Sequence, residues 1–232
     1  MKKILYLTLA LFSIGKIIAQ EHYCAQHKAQ NIHKNMSAAL PPGYVPPESK
    51  YDLKFYKLNL NVERNTTFIS GNVLSKAKVV VASLDTFAFL LHQNFTIDSV
   101  YVNGAKRNFI RKDSLIKATA GTPILQNQLF DAIVYYKGTA PSGGGAAIGD
   151  GYSAGTSGSW GNQVSWSLSE SLVAYQWFPC KQDLRDKIDS SWVFATTDST
   201  NLVGSNGLLT NVVTVGAKKR FEWKSHNRLL II

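Results

Sequence analysis

The sequence predicts an all-β protein, folded as an antiparallel β-sandwich or an open barrel. Between Tyr56 and Val62, apolar and polar side chains alternate strictly, which is the period of a half-buried strand. Turn-forming residues, such as Asn-Gly at 103–104 and Ser-Asn-Gly at 205–207, separate further short strand candidates. Many short strands with turns about every 8 to 12 residues are typical of these two architectures.

The first 19 residues predict a secretory signal peptide. Lys2 and Lys3 form a short positive region, an apolar run follows, and Ala19 supplies a small residue at the cleavage point. A transmembrane anchor is the alternative, but Lys16 limits the apolar run to a length too short to cross a bilayer. We therefore expect a mature chain without a membrane span that is secreted, periplasmic or held at the cell surface.

Residues 20–50 are expected to form a short N-terminal helical extension and a linker. Residues 21–40 are compatible with a helix or two turns, whereas 41–50 are rich in proline, which interrupts helices. The β-structure is assigned to residues 51–232, a length that can bury a real core.

The first strand of this domain begins near Tyr51. Leu53 and Phe55 are out of phase with the alternation that follows, which predicts a bulge near Phe55. Further strands are predicted at 68–74, 77–81, 86–91, 96–102, 132–136, 163–168, 192–197, 208–215 and 220–225.

Residues 138–161 are so rich in glycine that they predict a loop. No Gly-Lys-Ser/Thr follows, which excludes a P-loop and leaves a surface insertion or a flap beside a binding cleft. Three of the five tryptophans lie within 160–177. They either pack in the core and on the sheet, or form an aromatic platform for sugars or peptides.

The formal net charge is +10, and it falls to +7 once Lys2, Lys3 and Lys16 leave with the signal peptide. The remaining basic residues are scattered as on the wet face of strands, which disfavours nucleic acid as a partner. Export permits a disulfide between the two cysteines, Cys24 and Cys180, but their separation does not decide it. A buried free Cys180 is the favoured alternative.

The sequence carries no self-sufficient catalytic motif. His-Glu-x-x-His, His-x-x-x-His and Cys-x-x-Cys are all absent. Cys180 follows a proline and has no histidine near it in the sequence, which argues against a nucleophilic role. On these grounds alone, Glu170 would be interpreted as an exposed surface acid.

The stretch SLSESLVAYQWFPCKQD at 167–183 places Glu170 ten residues before Cys180, with Ala174 between them and Phe-Pro-Cys intact. It resembles a signature of the M1 family of zinc aminopeptidases, the aminopeptidase N type. Tyr175 stands where the family often has arginine, and Asp183 follows the cysteine by three residues rather than two. YDLKFYKLNLNV with ISGNV, VGSNGLL at 203–209 and RFEWKS at 220–225 are also similar to the family, so the resemblance spans about 51–228.

The resemblance implies a saddle-like β-sandwich, the N-terminal domain of the family's enzymes, in which Glu170 binds the α-amino group of a peptide substrate. A carboxylate there would make charge-assisted hydrogen bonds to the ammonium and position the first peptide bond. The family's next domain is thermolysin-like and carries His-Glu-x-x-His, a downstream glutamate ligand and a Gly-x-Met-Glu-Asn loop. We therefore expect no cofactor in this chain and zinc in the full-length enzyme.

None of those elements occurs up to Ile232, and SHNRLLII at the end departs from the family pattern. We therefore expect a truncated member, inactive by itself, that meets peptide N-termini only when joined to a catalytic domain. The alternative is a stand-alone secreted β-sandwich that binds peptides or glycans through its tryptophans and glycine-rich loop. A third expectation is poor stability, because separation from a catalytic neighbour would expose apolar surface.

Overall fold

The computed structural model describes residues 46–141, 151–169, 172–183 and 185–226. The predicted signal peptide, the predicted helical segment at 21–40 and Cys24 lie outside the described residues, which belong to one compact unit beginning at Pro46. The chain enters this unit through a 3₁₀ turn at Pro47–Lys50, within the segment expected to be a linker. Within these ranges no helix is both long enough and apolar enough to cross a membrane.

Strands account for most of the described residues. In chain order they are β1 (Tyr51–Asn61), β2 (Phe68–Val79), β3 (Ser83–Leu90), β4 (Phe95–Val102), β5 (Ala105–Arg107), β6 (Phe109–Lys112), β7 (Leu115–Leu125), β8 (Leu129–Thr139), β9 (Gly151–Thr156), β10 (Gln163–Leu168), β11 (Ser190–Asp198), β12 (Leu208–Val215) and β13 (Lys218–Ser225).

Eight of these strands form one sheet, in the order β12-β13-β11-β1-β2-β8-β4-β5. A second sheet has the order β3-β7-β6, and β9 and β10 form a separate hairpin. The all-β, sandwich-like fold is therefore confirmed. One strand pair departs from the antiparallel pattern, since β1 and β11 run parallel. An alternation pattern specifies which face of a strand is buried, but it does not identify the neighbouring strand.

The core lies between the two sheets. Phe87 of β3 contacts Tyr51 of β1 and Phe130 of β8, with ring centroids 5.5 and 5.8 Å apart. The Tyr51 hydroxyl also donates a 2.8 Å hydrogen bond to the carbonyl oxygen of Ala88. These contacts join the second sheet to the inner face of the large sheet around β1 and β8, so that the sandwich closes at this end.

The bulge predicted near Phe55 is confirmed. The register between β1 and β2 shifts between Leu53 and Phe55, so Leu53 before the bulge and Tyr56 after it are both buried. As a result, Phe55 and Lys57 lie on the outer face of the sheet, where their neighbour on β11 is Trp192.

The glycine-rich segment is only partly a loop. Residues 142–150 lie outside the described residues, but Gly151–Thr156 forms β9 and pairs with β10. The loop prediction is wrong there because hydrogen bonding to a well-formed partner strand outweighs the weak β-propensity of glycine.

Candidate functional site

A groove of about 510 Å³ borders the sandwich, between the inner face of β1 and β11 and the β9–β10 hairpin. Parallel pairing places Leu58 and Val193 side by side on its floor. Trp166 of β10 and Trp177 contribute to its walls, and the coil at residues 200–206 forms its rim. A mainly apolar cleft with a few polar groups is the usual form of a binding site.

The hairpin side of the groove is aromatic. Tyr152 of β9 stacks on Trp177, with centroids 6.1 Å apart, and its hydroxyl lies 2.9 Å from the hydroxyl oxygen of Ser165 on β10. Burial raises the pKa of Tyr152, while the hydrogen bond with Ser165 acts in the opposite direction. The phenol is therefore neutral at physiological pH and available for hydrogen bonding.

The other end of the groove is polar. Glu63 Oε2 accepts hydrogen bonds of 3.2 Å from Thr197 Oγ1 and Asn201 Nδ2, and its Oε1 accepts one of 2.8 Å from Lys218 Nζ. Burial opposes ionisation of Glu63, but the hydrogen bond and charge of Lys218, with hydrogen bonds from the Asp198 N–H and Thr197, outweigh it and lower the pKa of the carboxyl. Asn201 lines the groove, but its Oδ1 is buried and accepts no hydrogen bond from the described residues, so this acceptor is unsatisfied.

The Phe-Pro-Cys corner supports this groove from below. Cys180 and Leu90 exchange backbone hydrogen bonds of 2.8 and 3.0 Å, and Phe178 packs edge-on against Tyr56 with centroids 5.9 Å apart. Cys180 is buried and free, as expected, and burial raises the pKa of its thiol well above the usual value. Such a thiol is not a nucleophile, in agreement with the sequence analysis.

Glu170, the predicted substrate anchor, lies outside the described residues, and its role stays a prediction. The rest of the stretch 167–183, except residue 171, is described. Ser169 is buried, and its Oγ accepts a 2.9 Å hydrogen bond from Trp177 Nε1. Ala174 is also buried and begins a 3₁₀ turn, Ala174–Gln176, that leads into the corner.

A buried ion pair follows the corner and was missed by the sequence analysis. Lys181 Nζ contacts Asp186 Oδ2 at 2.5 Å, and these side chains are 5% and 10% exposed. The Lys181 ammonium also donates to the Tyr51 carbonyl oxygen, and Asp186 accepts from the Leu53 N–H. Burial raises the pKa of Asp186, although the bond from Lys181 acts against this. Asp183, singled out in the sequence, instead forms a hydrogen-bonded pair with Arg185.

The described residues do not fit a zinc site. Within residues 46–141, 151–169, 172–183 and 185–226, no three His, Cys, Asp or Glu side chains gather as metal ligands. The lining of the groove likewise includes no histidine, cysteine or aspartate among these residues. This arrangement can bind and orient a ligand, and none of its described groups forms a nucleophile–base pair.

The fold can now be compared with known proteins. No protein-family model and no curated protein matches the chain in sequence. Among solved structures, an M1 zinc metallopeptidase from Deinococcus radiodurans superposes with a TM-score of 0.65 at 21% identity, over 75% of this chain and 39% of that one. Yeast LTA4 hydrolase superposes with a TM-score of 0.56 at 21% identity, over 79% of this chain and 29% of that one. The chain thus has the fold of the N-terminal region of these enzymes and spans well under half of their length.

Proposed function

We propose that this chain is the N-terminal, substrate-anchoring domain of a secreted zinc-dependent metalloaminopeptidase that removes N-terminal residues from peptides. The observation that carries the proposal is the Phe-Pro-Cys corner. It combines a motif that resembles the M1 signature with a fold similar to M1 zinc metallopeptidases. The corner is fixed by Leu90 and Tyr56, which gives the motif a rigid base.

In this proposal Glu170 binds the substrate ammonium, and the zinc and its ligands lie in a catalytic domain. The 232 residues alone then lack peptidase activity, because the sequence contains no His-Glu-x-x-His. The purified full chain, supplied with Zn²⁺ and an aminoacyl-p-nitroanilide, should release no nitroaniline above the blank. Turnover that a chelator abolishes would contradict this part of the proposal.

Sequencing the DNA beyond codon 232 in all three frames tests whether a catalytic domain is encoded nearby. We expect His-Glu-x-x-His and a Gly-x-Met-Glu-Asn-like stretch in one of them. In an enzyme reconstituted from both parts, Glu170→Gln should raise KM for peptides with a free amino terminus. An unchanged KM would exclude Glu170 as the anchor.

Export is the remaining part of the proposal, and it is motivated by residues 1–19. N-terminal sequencing of the protein recovered from its native cells should begin at Gln20. A chain that retains Met1 would contradict a cleaved signal peptide.

The second candidate function is a stand-alone module for peptides or glycans, which the groove favours. Trp166 and Trp177 line it, together with polar side chains such as Gln163 and Ser165. Tryptophan fluorescence titrated with peptides and neutral oligosaccharides tests this candidate. A ligand-dependent fluorescence change that is smaller in Trp166→Phe supports this candidate. No fluorescence change with any of the ligands excludes it.

A further inference from the structure

The outer face of the eight-stranded sheet carries a row of two lysines around an aromatic pair. Lys57 on β1 and Lys224 on β13 both lie directly opposite Trp192 on β11, the strand between them. Trp192 and its neighbour Phe194 are nearly parallel, with centroids 6.0 Å apart and planes 10° apart. This face is the reverse of the groove, whose floor is formed by the alternate residues of the same strands.

Both ammonium groups lie over this ring pair. Lys57 Nζ is 4.4 Å from the Phe194 centroid, and Lys224 Nζ is 4.5 Å from the Trp192 centroid. Each ammonium is also 6.0 Å from the centroid of the other ring. Packing on aromatic faces orders the flexible lysine stems, so that less side-chain entropy is lost when a ligand binds.

Neither lysine has a carboxylate partner among the described residues. Four other lysines form ion pairs: Lys54, Lys137, Lys181 and Lys218. The acid on the same face, Glu222, is paired with Arg220 at 2.7 Å and is 8% exposed. Two like charges therefore share one small patch without compensation, in a chain whose net charge is already +10. A patch of this kind attracts an anion.

We propose that Lys57 and Lys224, positioned over Trp192 and Phe194, form a binding site for an acidic polysaccharide that carries uronate carboxylates. The carboxylates pair with the two ammonium groups, and the apolar faces of the sugar rings pack against the half-buried Trp192. This site is independent of the proposed peptidase role, because it uses the opposite face of the sheet.

The geometry disfavours two other classes of anionic polymer. Nucleic-acid recognition on a sheet stacks successive bases on neighbouring exposed rings, but Phe194, the neighbour of Trp192, is only 7% exposed. An acidic peptide would gain most of its affinity by pairing as an added strand with a free edge of the sheet. The strands that carry this patch, β1, β11 and β13, each have a partner strand on both sides.

The test measures the affinity of polygalacturonate for the full chain by isothermal titration calorimetry, at low and at physiological salt. Lys57→Gln/Lys224→Gln should weaken binding about tenfold. The control Lys106→Gln/Lys112→Gln removes the same charge from exposed positions on β5 and β6 and should change the affinity by less than about twofold. Circular dichroism of both variants establishes that their folding is unchanged.

Absence of binding, or an equal loss in both variants, would overturn the proposal, because the attraction would then be general and not localised. Tighter binding of single-stranded DNA or polyglutamate than of polygalacturonate would overturn the choice of a polysaccharide. A methyl-esterified polygalacturonate should not bind, since it lacks the carboxylates. Binding of this neutral polymer with equal affinity would also refute the role of the lysines.

Discussion

Replacing Asp186 by asparagine should destabilise the protein far more than an ordinary surface change. The substitution keeps an oxygen that can accept the Leu53 N–H, but it leaves the Lys181 ammonium, 5% exposed, without a counter-charge. Removal of one partner of a buried ion pair costs about 3–5 kcal/mol in free energy of unfolding. With a urea m-value of about 2 kcal/mol/M, the midpoint should fall by about 2 M.

Two further variants make this measurement decisive. Asp98→Asn removes one partner of the exposed Lys137–Asp98 pair, whose atoms are 3.0 Å apart, and should cost less than about 1 kcal/mol. Lys181→Met/Asp186→Asn removes both buried charges and should recover part of the loss, because the burial that raises the pKa of Asp186 no longer acts on an ion. Equal midpoints for Asp186→Asn and Asp98→Asn would refute the reasoning.

Three other predictions concern Glu63, Gly207 and Cys180. Folding lowers the pKa of Glu63, so its contribution to stability is present above the unfolded-state pKa and is lost as pH falls through the folded-state pKa. Between about pH 6 and 3, the urea midpoint of Glu63→Gln should therefore fall less than that of the unmodified protein. Gly207 has a φ of 92°, and a Cβ there would lie 2.2 Å from the Lys224 carbonyl oxygen. Gly207→Ala should therefore lower the free energy of unfolding, measured by thermal denaturation, by at least about 1 kcal/mol. The control Gly158→Ala, where a Cβ meets open space, should leave the stability unchanged. In a Cys24→Ser variant, iodoacetamide should label Cys180 at least about a hundredfold more slowly in the native than in the urea-unfolded protein, and equal rates would show that the thiol is accessible.

Much of the strand content was predictable from the sequence, because most strands alternate. The predicted strands at 163–168 and 208–215 match β10 and β12, and the bulge near Phe55 follows from two residues out of phase. Strand β7 was missed because its buried positions include Ala118 and Ala120, which carry little hydrophobic signal. Strand β9 was missed because its glycines indicated a loop.

The candidate site was less predictable, since it depends on contacts between residues far apart in sequence. The groove floor joins Leu58 to Val193, and nothing in either local pattern indicates that pairing. Similarly, Lys181 and Asp186 lie in a charged stretch that looks solvent-exposed, and only the fold around Tyr51 buries them. Glu170 could be singled out only through a resemblance, because its chemistry alone does not distinguish it from a surface acid.

The parallel pairing of β1 with β11 also determines when the protein can fold during synthesis. The first strand, Tyr51–Asn61, must wait for Ser190–Asp198, and β11 in turn pairs with β13, which ends at Ser225. Such long-range pairing carries a large loop-closure entropy before any contact compensates for it, and it slows folding. We expect ribosome-arrested nascent chains to gain protease resistance only after Ser225 has left the exit tunnel; resistance in chains that end before β11 would contradict this. We therefore expect the eight-stranded sheet to stay incomplete until almost all of the β-structure has been made, and an incompletely folded chain is the state that can be threaded through a membrane pore.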